Sequence, residues 1–153
     1  VEPSPIPQVR NLSLTLSKGK IVMHHHDPHM KECIDNCNNC RDECEHTLFQ
    51  HCMEMGGKHT EQNHVKLMAD CIEICQTAAN FMLRGSDEHT AICATCADIC
   101  EACAESCKEI GGKDMEDCAD TCRKCAASCR EMSQGMKDKS ASKAREKSSG
   151  MMA

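Results

Sequence analysis

Between residues 93 and 129 the chain reads CATCADICEACAESCKEIGGKDMEDCADTCRKCAASC. Cysteines fall at 93, 96, 100, 103 and 107, and after Gly111-Gly112 at 118, 122, 125 and 129. Steps of three and four place each set on one face of an α-helix. The same stepping occurs earlier at Cys33, Cys37, Cys40 and Cys44, with Cys52 beyond, and at Cys71 and Cys75. Amphipathic helices usually carry leucine on the face they bury, whereas these carry thiols. The core must therefore be built around sulfur, which restricts both the fold and the chemistry.

Composition reinforces the point. The chain has 153 residues, 16 Cys and 11 Met, no Trp or Tyr, and two aromatics, Phe49 and Phe81. A core without aromatic and branched side chains gains little from apolar burial, so bound metal is expected to add stability by linkage. Cysteine at this density ordinarily suggests a secreted disulfide scaffold. Helical spacing argues against it. Cβ atoms at i and i+3 or i+4 lie roughly 5–6 Å apart, whereas a disulfide needs about 3.5–4.5 Å. Bonds within one helix would be strained, and only bonds between helices remain open.

A net charge of −6 and the lack of aromatic interleaving disfavour nucleic acid as a partner. No apolar run is long enough to span a bilayer, so membrane insertion is not expected. Val1 in place of an initiator Met and a Met/His segment near the start favour an exported, periplasmic protein, with a cytoplasmic one as the alternative.

Residues 1–28 read as an extended N-terminal arm. Pro3, Pro5 and Pro7 lead into a strand-like alternation at Leu12, Leu14 and Leu16, and then into the segment MHHHDPHM at 23–30. Its histidines and methionines suit metal capture, although such a segment is weakly diagnostic by itself. Four helices follow. The first is expected over 29–55, with Asp27 as N-cap and Pro28 at the first helical position. The second spans 61–84, with Thr60 as N-cap and Gly85 just past its end. The third runs from about Asp87, capped by Ser86, to Gly111-Gly112, and the fourth spans 114–135. Residues 137–153, rich in Lys, Ser and Ala, read as a flexible basic tail. Short linkers imply antiparallel neighbours. The fold class is thus all-α, an antiparallel up-down-up-down four-helix bundle with a cysteine-lined core over residues 29–136. The second helix is poorest in thiols, but its stripe continues through His64, Met68, Cys71, Cys75, Ala78 and Met82.

Soft thiolates select Cu(I), Zn²⁺ or iron–sulfur clusters. Zinc sites and iron–sulfur clusters usually draw their cysteines from turns and loops, and these cysteines lie within helical runs. Cu(I) accepts two or three thiolates. With a metal–sulfur bond of about 2.3 Å, two opposed sulfurs sit about 4.6 Å apart, within reach of i and i+4 on one helix. The pairs 33–37, 40–44, 71–75, 96–100, 103–107, 118–122 and 125–129 can each clamp an ion. Antiparallel geometry places His64, Met68 and Met115 at one end with Cys52 and Cys107. The other end receives Met82, His89, Met132 and Met136. The candidate ligands are thus all sixteen cysteines together with His64, Met68, His89 and Met115. No catalytic triad is evident, and inward thiols replace the Glu and Glu-x-x-His of a di-iron bundle.

Repeated CxxxC and CxxC on four helices, ending in Met and His, resembles the bacterial copper storage proteins, a cysteine-rich four-helix-bundle family. The resemblance covers residues 29–136. It implies a bundle filled with multiple Cu(I) ions on thiolates, a homo-oligomer such as a homotetramer, and a role in copper supply or detoxification rather than catalysis. Copper-delivering or copper-accepting proteins would be its partners. Two other readings stay open: a metallothionein-like binder of zinc and other soft metals, and a thiol redox or disulfide protein.

Overall fold

The computed structural model describes the backbone of residues 27–149 and the side chains of residues 27–135. The arm before Asp27, with the Leu12–Leu16 alternation and His24, His25 and His26, lies outside the described residues.

The first long element is composite. It comprises α1 (Pro28–His46), a π-helical segment (Thr47–Cys52) and a short α2 (Met53–Met55). Its start follows the expected chemistry. Asp27 Oδ1 accepts from the His29 amide at 3.2 Å, and Pro28 occupies a first-turn position where an amide hydrogen would go unused. Gly56 ends it at φ 64°, in the left-handed region. A 3₁₀ turn (Gly57–Thr60) leads to α3 (Gln62–Leu83). Thr60 does not cap α3 as expected. Its hydroxyl donates to the Gly57 carbonyl at 3.1 Å, closing the 3₁₀ turn, and the residue before α3 is Glu61.

The end of α3 is a Schellman motif. The Ser86 amide donates to the Phe81 carbonyl and the Gly85 amide to the Met82 carbonyl, both at 3.0 Å. Ser86 then serves the next helix from further back than expected. Its hydroxyl accepts from the Glu88 amide across a turn, and α4 (His89–Ile110) begins two residues after Asp87. The Gly111-Gly112 pair divides α4 from α5 (Lys113–Ser149). The sequence alone ends this last helix at Gly135 and leaves 137–153 as a flexible tail, whereas the helix is described as far as Ser149. One interior glycine costs a helix only about 1 kcal/mol, and the Lys, Ala, Glu and Arg beyond it are good helix formers.

The four long elements form an up-down-up-down bundle with no strand among the described residues. Helix α1 packs against α3 and α5, and α4 packs against the same two, so α1 and α4 are diagonal. Cross-links on the outside are polar. Arg130 donates to Asp98 at 2.9 Å and to Glu101 at 2.7 Å, tying α5 to α4, and Arg41 donates to Gln76 between α1 and α3. Such exposed pairs contribute little each.

The core is almost entirely sulfur and small residues. All sixteen cysteines are fully buried, alongside Met68, Met82, Met115, Ala78, Ala79, Ala97, Ala104, Ala119 and Ala126. Leu48 is the one fully buried leucine among the described residues. In α3, Leu67, Ile72, Ile74 and Phe81 are only half-buried.

Candidate metal centre

Four inward stripes meet in one axial column of sulfur. At the end where α1 begins, Cys33, Cys93 and Cys129 lie with all their sulfurs within 4.8 Å of one another. Deeper in, the same closeness holds for Cys37, Cys96, Cys125 and Cys129, and then for Cys75, Cys96, Cys100 and Cys125. Two further groups follow: Cys40, Cys71, Cys75 and Cys100, then Cys40, Cys44, Cys71 and Cys122. The groups share members, so the sulfurs form a continuous network rather than isolated sites.

Most of the short contacts cross between helices. Cys37 and Cys129 stand 3.5 Å apart, as do Cys44 and Cys122, and Cys75 and Cys100. Within one helix, Cys96 and Cys100 are 3.9 Å apart and Cys40 and Cys44 4.0 Å. Of the seven CxxxC pairs, 40–44, 71–75, 96–100 and 125–129 have both sulfurs inside a common close group. For a metal–sulfur bond of about 2.3 Å, a trigonal ion needs sulfurs about 4.0 Å apart and a linear one about 4.6 Å. Cross-helix pairs at 3.5 Å therefore need to open by about half an ångström to join a three-coordinate ion, and the in-helix pairs at 3.9 and 4.0 Å by about 0.6–0.7 Å to hold a linear one.

The thiol-poor helix α3 substitutes other soft groups at one end. Met68 Sδ takes the corner facing Cys103 at 3.5 Å and Cys107 at 3.6 Å. Beyond it, Cys52 Sγ lies 3.7 Å from Met115 Sδ and 3.7 Å from His64 Nε2. His64 is 4% exposed, and its Nδ1 meets Ser106 Oγ on α4 at 2.9 Å.

Cys52 reaches the column because of the π-helical segment. Along a regular α-helix, eight residues past Cys44 would leave Cys52 about 80° off the inward face. The Met53 amide bonds to the Leu48 carbonyl, an i to i−5 step that absorbs one residue and brings the offset to roughly 20°. The stripe thus closes on Cys52. His51 turns outward, with Nδ1 3.5 Å from Asp114 and its ring edge-on to His59 at 5.1 Å between centroids.

At the opposite end, Met82 is fully buried, while Met30 and Met132 pack half-buried against the core. His89 stands apart. Half-buried at the first position of α4, it donates from Nδ1 to the Ser86 carbonyl at 2.6 Å and joins none of the close sulfur groups among the described residues. The side chain of Met136 lies outside the described residues.

Protonation in the column is collective. The Cys37, Cys44, Cys75 and Cys122 thiols are pushed up, first by their contacts with Cys125, Cys103, Cys100 and Cys103 respectively, and further by burial. Cys40, Cys71 and Cys96 are pushed down, Cys100 being the leading donor to each. A thiolate held by neighbouring S–H donors makes the next proton harder to remove, so these groups titrate as a set. Cys52, outside the tetrads, is raised to about 11 by burial, followed by repulsion from Cys118 and Cys103. Burial also lowers His64, which is therefore neutral and has a lone pair to offer.

Sequence spacing brought out every buried sulfur but gave no sign of Ser106. It lies one position before Cys107, off the inward stripe, and only the facing histidine gives it a role.

The model of the copper storage protein family matches residues 24–134. The crystal structure of the Nmul_A1745 protein from Nitrosospira multiformis is 50% identical, covering 69% of this chain and 94% of that one, with a TM-score of 0.66. The Cu(I)-bound copper storage protein BsCsp3 is 34% identical over 69% of this chain and 98% of that one, with a TM-score of 0.64. A cysteine-rich protein of Bacillus subtilis strain 168, YhjQ, is 35% identical over 81 residues, 53% of this chain and 74% of that protein.

Proposed function

This chain belongs to the copper storage protein family, and from that premise we propose that its sulfur column takes up many Cu(I) ions, sequestering copper for supply or detoxification. The observation that carries the reading is the column of sixteen free, fully buried thiols, twelve of them in close groups that share members. In such a dry interior an uncompensated charge is costly. Each Cu⁺ that replaces one S–H proton keeps the column neutral. Two private thiolates per ion would instead leave one negative charge for every copper. Neutrality therefore favours bridging thiolates and a load approaching one ion per thiol. Zn²⁺ closes a tetrahedron of four thiolates with a net charge of −2, which a stacked column of such sites would have to bury repeatedly.

The sixteen cysteines are assigned as the storage ligands, with Met68, Met115 and His64 completing the end at Cys52. His89 keeps Nε2 available as a peripheral ligand, because its Nδ1 hydrogen is committed to Ser86. The thiols act as ligands and not as nucleophiles, so this is a storage protein and not an enzyme. The bundle over 29–136 is the storage unit, with the Met/His segment at 23–30 as a capture segment. Assembly into a homo-oligomer, and exchange with copper-delivering or copper-accepting proteins, belong to the same reading. Exposed Phe49, Met53, Met55 and Leu83 support association through the bundle's outer surface.

X-ray absorption of the copper-loaded protein tests the ligand assignment. A two- or three-coordinate Cu(I) shell dominated by sulfur is expected. A shell dominated by nitrogen and oxygen would place the copper outside the column and overturn the reading.

A further inference from the structure

We infer that Ser106 is a positioning residue that fixes His64 as a nitrogen ligand at the mixed-donor end of the column. The inference rests on the storage reading above, specifically on His64 as a ligand for Cu(I).

The His64 ring is held at both nitrogens. Nδ1 lies 2.9 Å from Ser106 Oγ, and Nε2 lies 3.7 Å from Cys52 Sγ, which is itself 3.7 Å from Met115 Sδ. Two proton arrangements satisfy the neutral ring. In one, Nδ1–H donates to Ser106 and the Cys52 thiol donates to Nε2. In the other, Ser106 donates to Nδ1 and Nε2–H points at Cys52. Only the first survives metal binding. When Cu(I) joins Cys52 and His64, the thiol gives up its proton to solvent and Nε2 must present a lone pair, so Nδ1 keeps the hydrogen and Ser106 must accept it.

Ser106 also departs from what most hydroxyls on these helices do. Thr77, Thr95, Thr121, Ser128 and Ser133 turn back onto carbonyls of their own helices. The hydrogen bond of Ser106 instead crosses from α4 to the first turn of α3. A hydroxyl also suits the task better than a carboxylate would. It orients the ring without adding a negative charge beside a site whose neutral donors, imidazole and thioether, hold copper less tightly than the thiolates behind it. An end site of this kind exchanges ions while the column retains them.

The test is ¹⁵N NMR of the histidine rings in the reduced metal-free protein, followed by anaerobic Cu(I) addition, for wild type, S106A, S106T and H64A. The inference expects wild-type His64 to be protonated at Nδ1, with Nε2 shifting on copper binding. S106A should mix the two tautomers and weaken copper at His64 on the order of 10-fold to 100-fold, as loss of an outer-sphere partner does. S106T should restore both signatures, and total copper capacity should stay close to wild type in S106A and S106T. A wild-type ring protonated at Nε2, or an S106A protein indistinguishable from wild type in tautomer and in copper response at His64, overturns the inference and leaves storage untouched. If H64A leaves copper binding at Cys52 and Met115 unchanged, His64 is not a ligand and the positioning role falls with it. Loss of high copper capacity in wild type would instead defeat the storage reading itself.

Discussion

Each thiol of the column matters according to how many close groups it joins. Cys100 belongs to two tetrads, with Cys40, Cys71 and Cys75 on one side and Cys75, Cys96 and Cys125 on the other. Cys93 belongs only to the three-thiol group at the end of the column. Both sulfurs are fully buried, so exposure does not separate them. Cys100→Ala is expected to lower the bound copper by roughly twice as much as Cys93→Ala, since a bridging thiolate serves two coordination sets. Copper retained by each variant after equilibration with a competing chelator measures this, and equal losses would mean that the shared groups do not act as bridges.

Among the elements, the π-helical segment is the least obvious and the most consequential for the site. Stepping by three and four read the bundle, its loops and every inward cysteine correctly, because thiol periodicity and glycine stops are local signals. Spacing counts Cys52 with the first stripe, although eight residues past Cys44 a regular α-helix would turn it about 80° away. An i to i−5 hydrogen bond brings it back, and no residue type announces it. Thr60 and the helix beyond Gly135 escaped for a related reason. Capping and continuation depend on whether the backbone closes one more turn, and the residues present permit either outcome. Ser106 was invisible because its partner comes from another helix. An alanine inserted after Gln50 should rotate the following residues by about 100° and swing Cys52 out of the column. Deleting Gln50 should relax the segment to a regular α-helix with Cys52 still inward. Counting thiols that react rapidly with a thiol reagent in the folded metal-free protein checks this, with one fast thiol expected for the insertion and none for the deletion.

As a whole, the molecule is a scaffold with an unusually soft interior. Sulfur–sulfur contacts of 3.5 to 4.0 Å and a set of alanines replace the branched and aromatic packing of an ordinary bundle. Sulfur is polarizable and packs adaptably, which suits a core that must spread slightly to admit ions and close again when they leave. The helix backbone supplies its own hydrogen bonds, so the bundle can hold its shape while its centre is rebuilt around metal. Filling then adds stability through linkage, because copper binds the folded column and gains far less from an unfolded chain. Anaerobic titration of the fully reduced protein with Cu(I) against a competing chelator, beside a parallel Zn²⁺ titration, tests this account most directly. The account predicts tight Cu(I) binding far beyond one ion per four thiols, approaching one per thiol, with zinc bound weakly. Saturation at a few Cu(I) ions, with zinc filling about four tetrahedral sites, would contradict it.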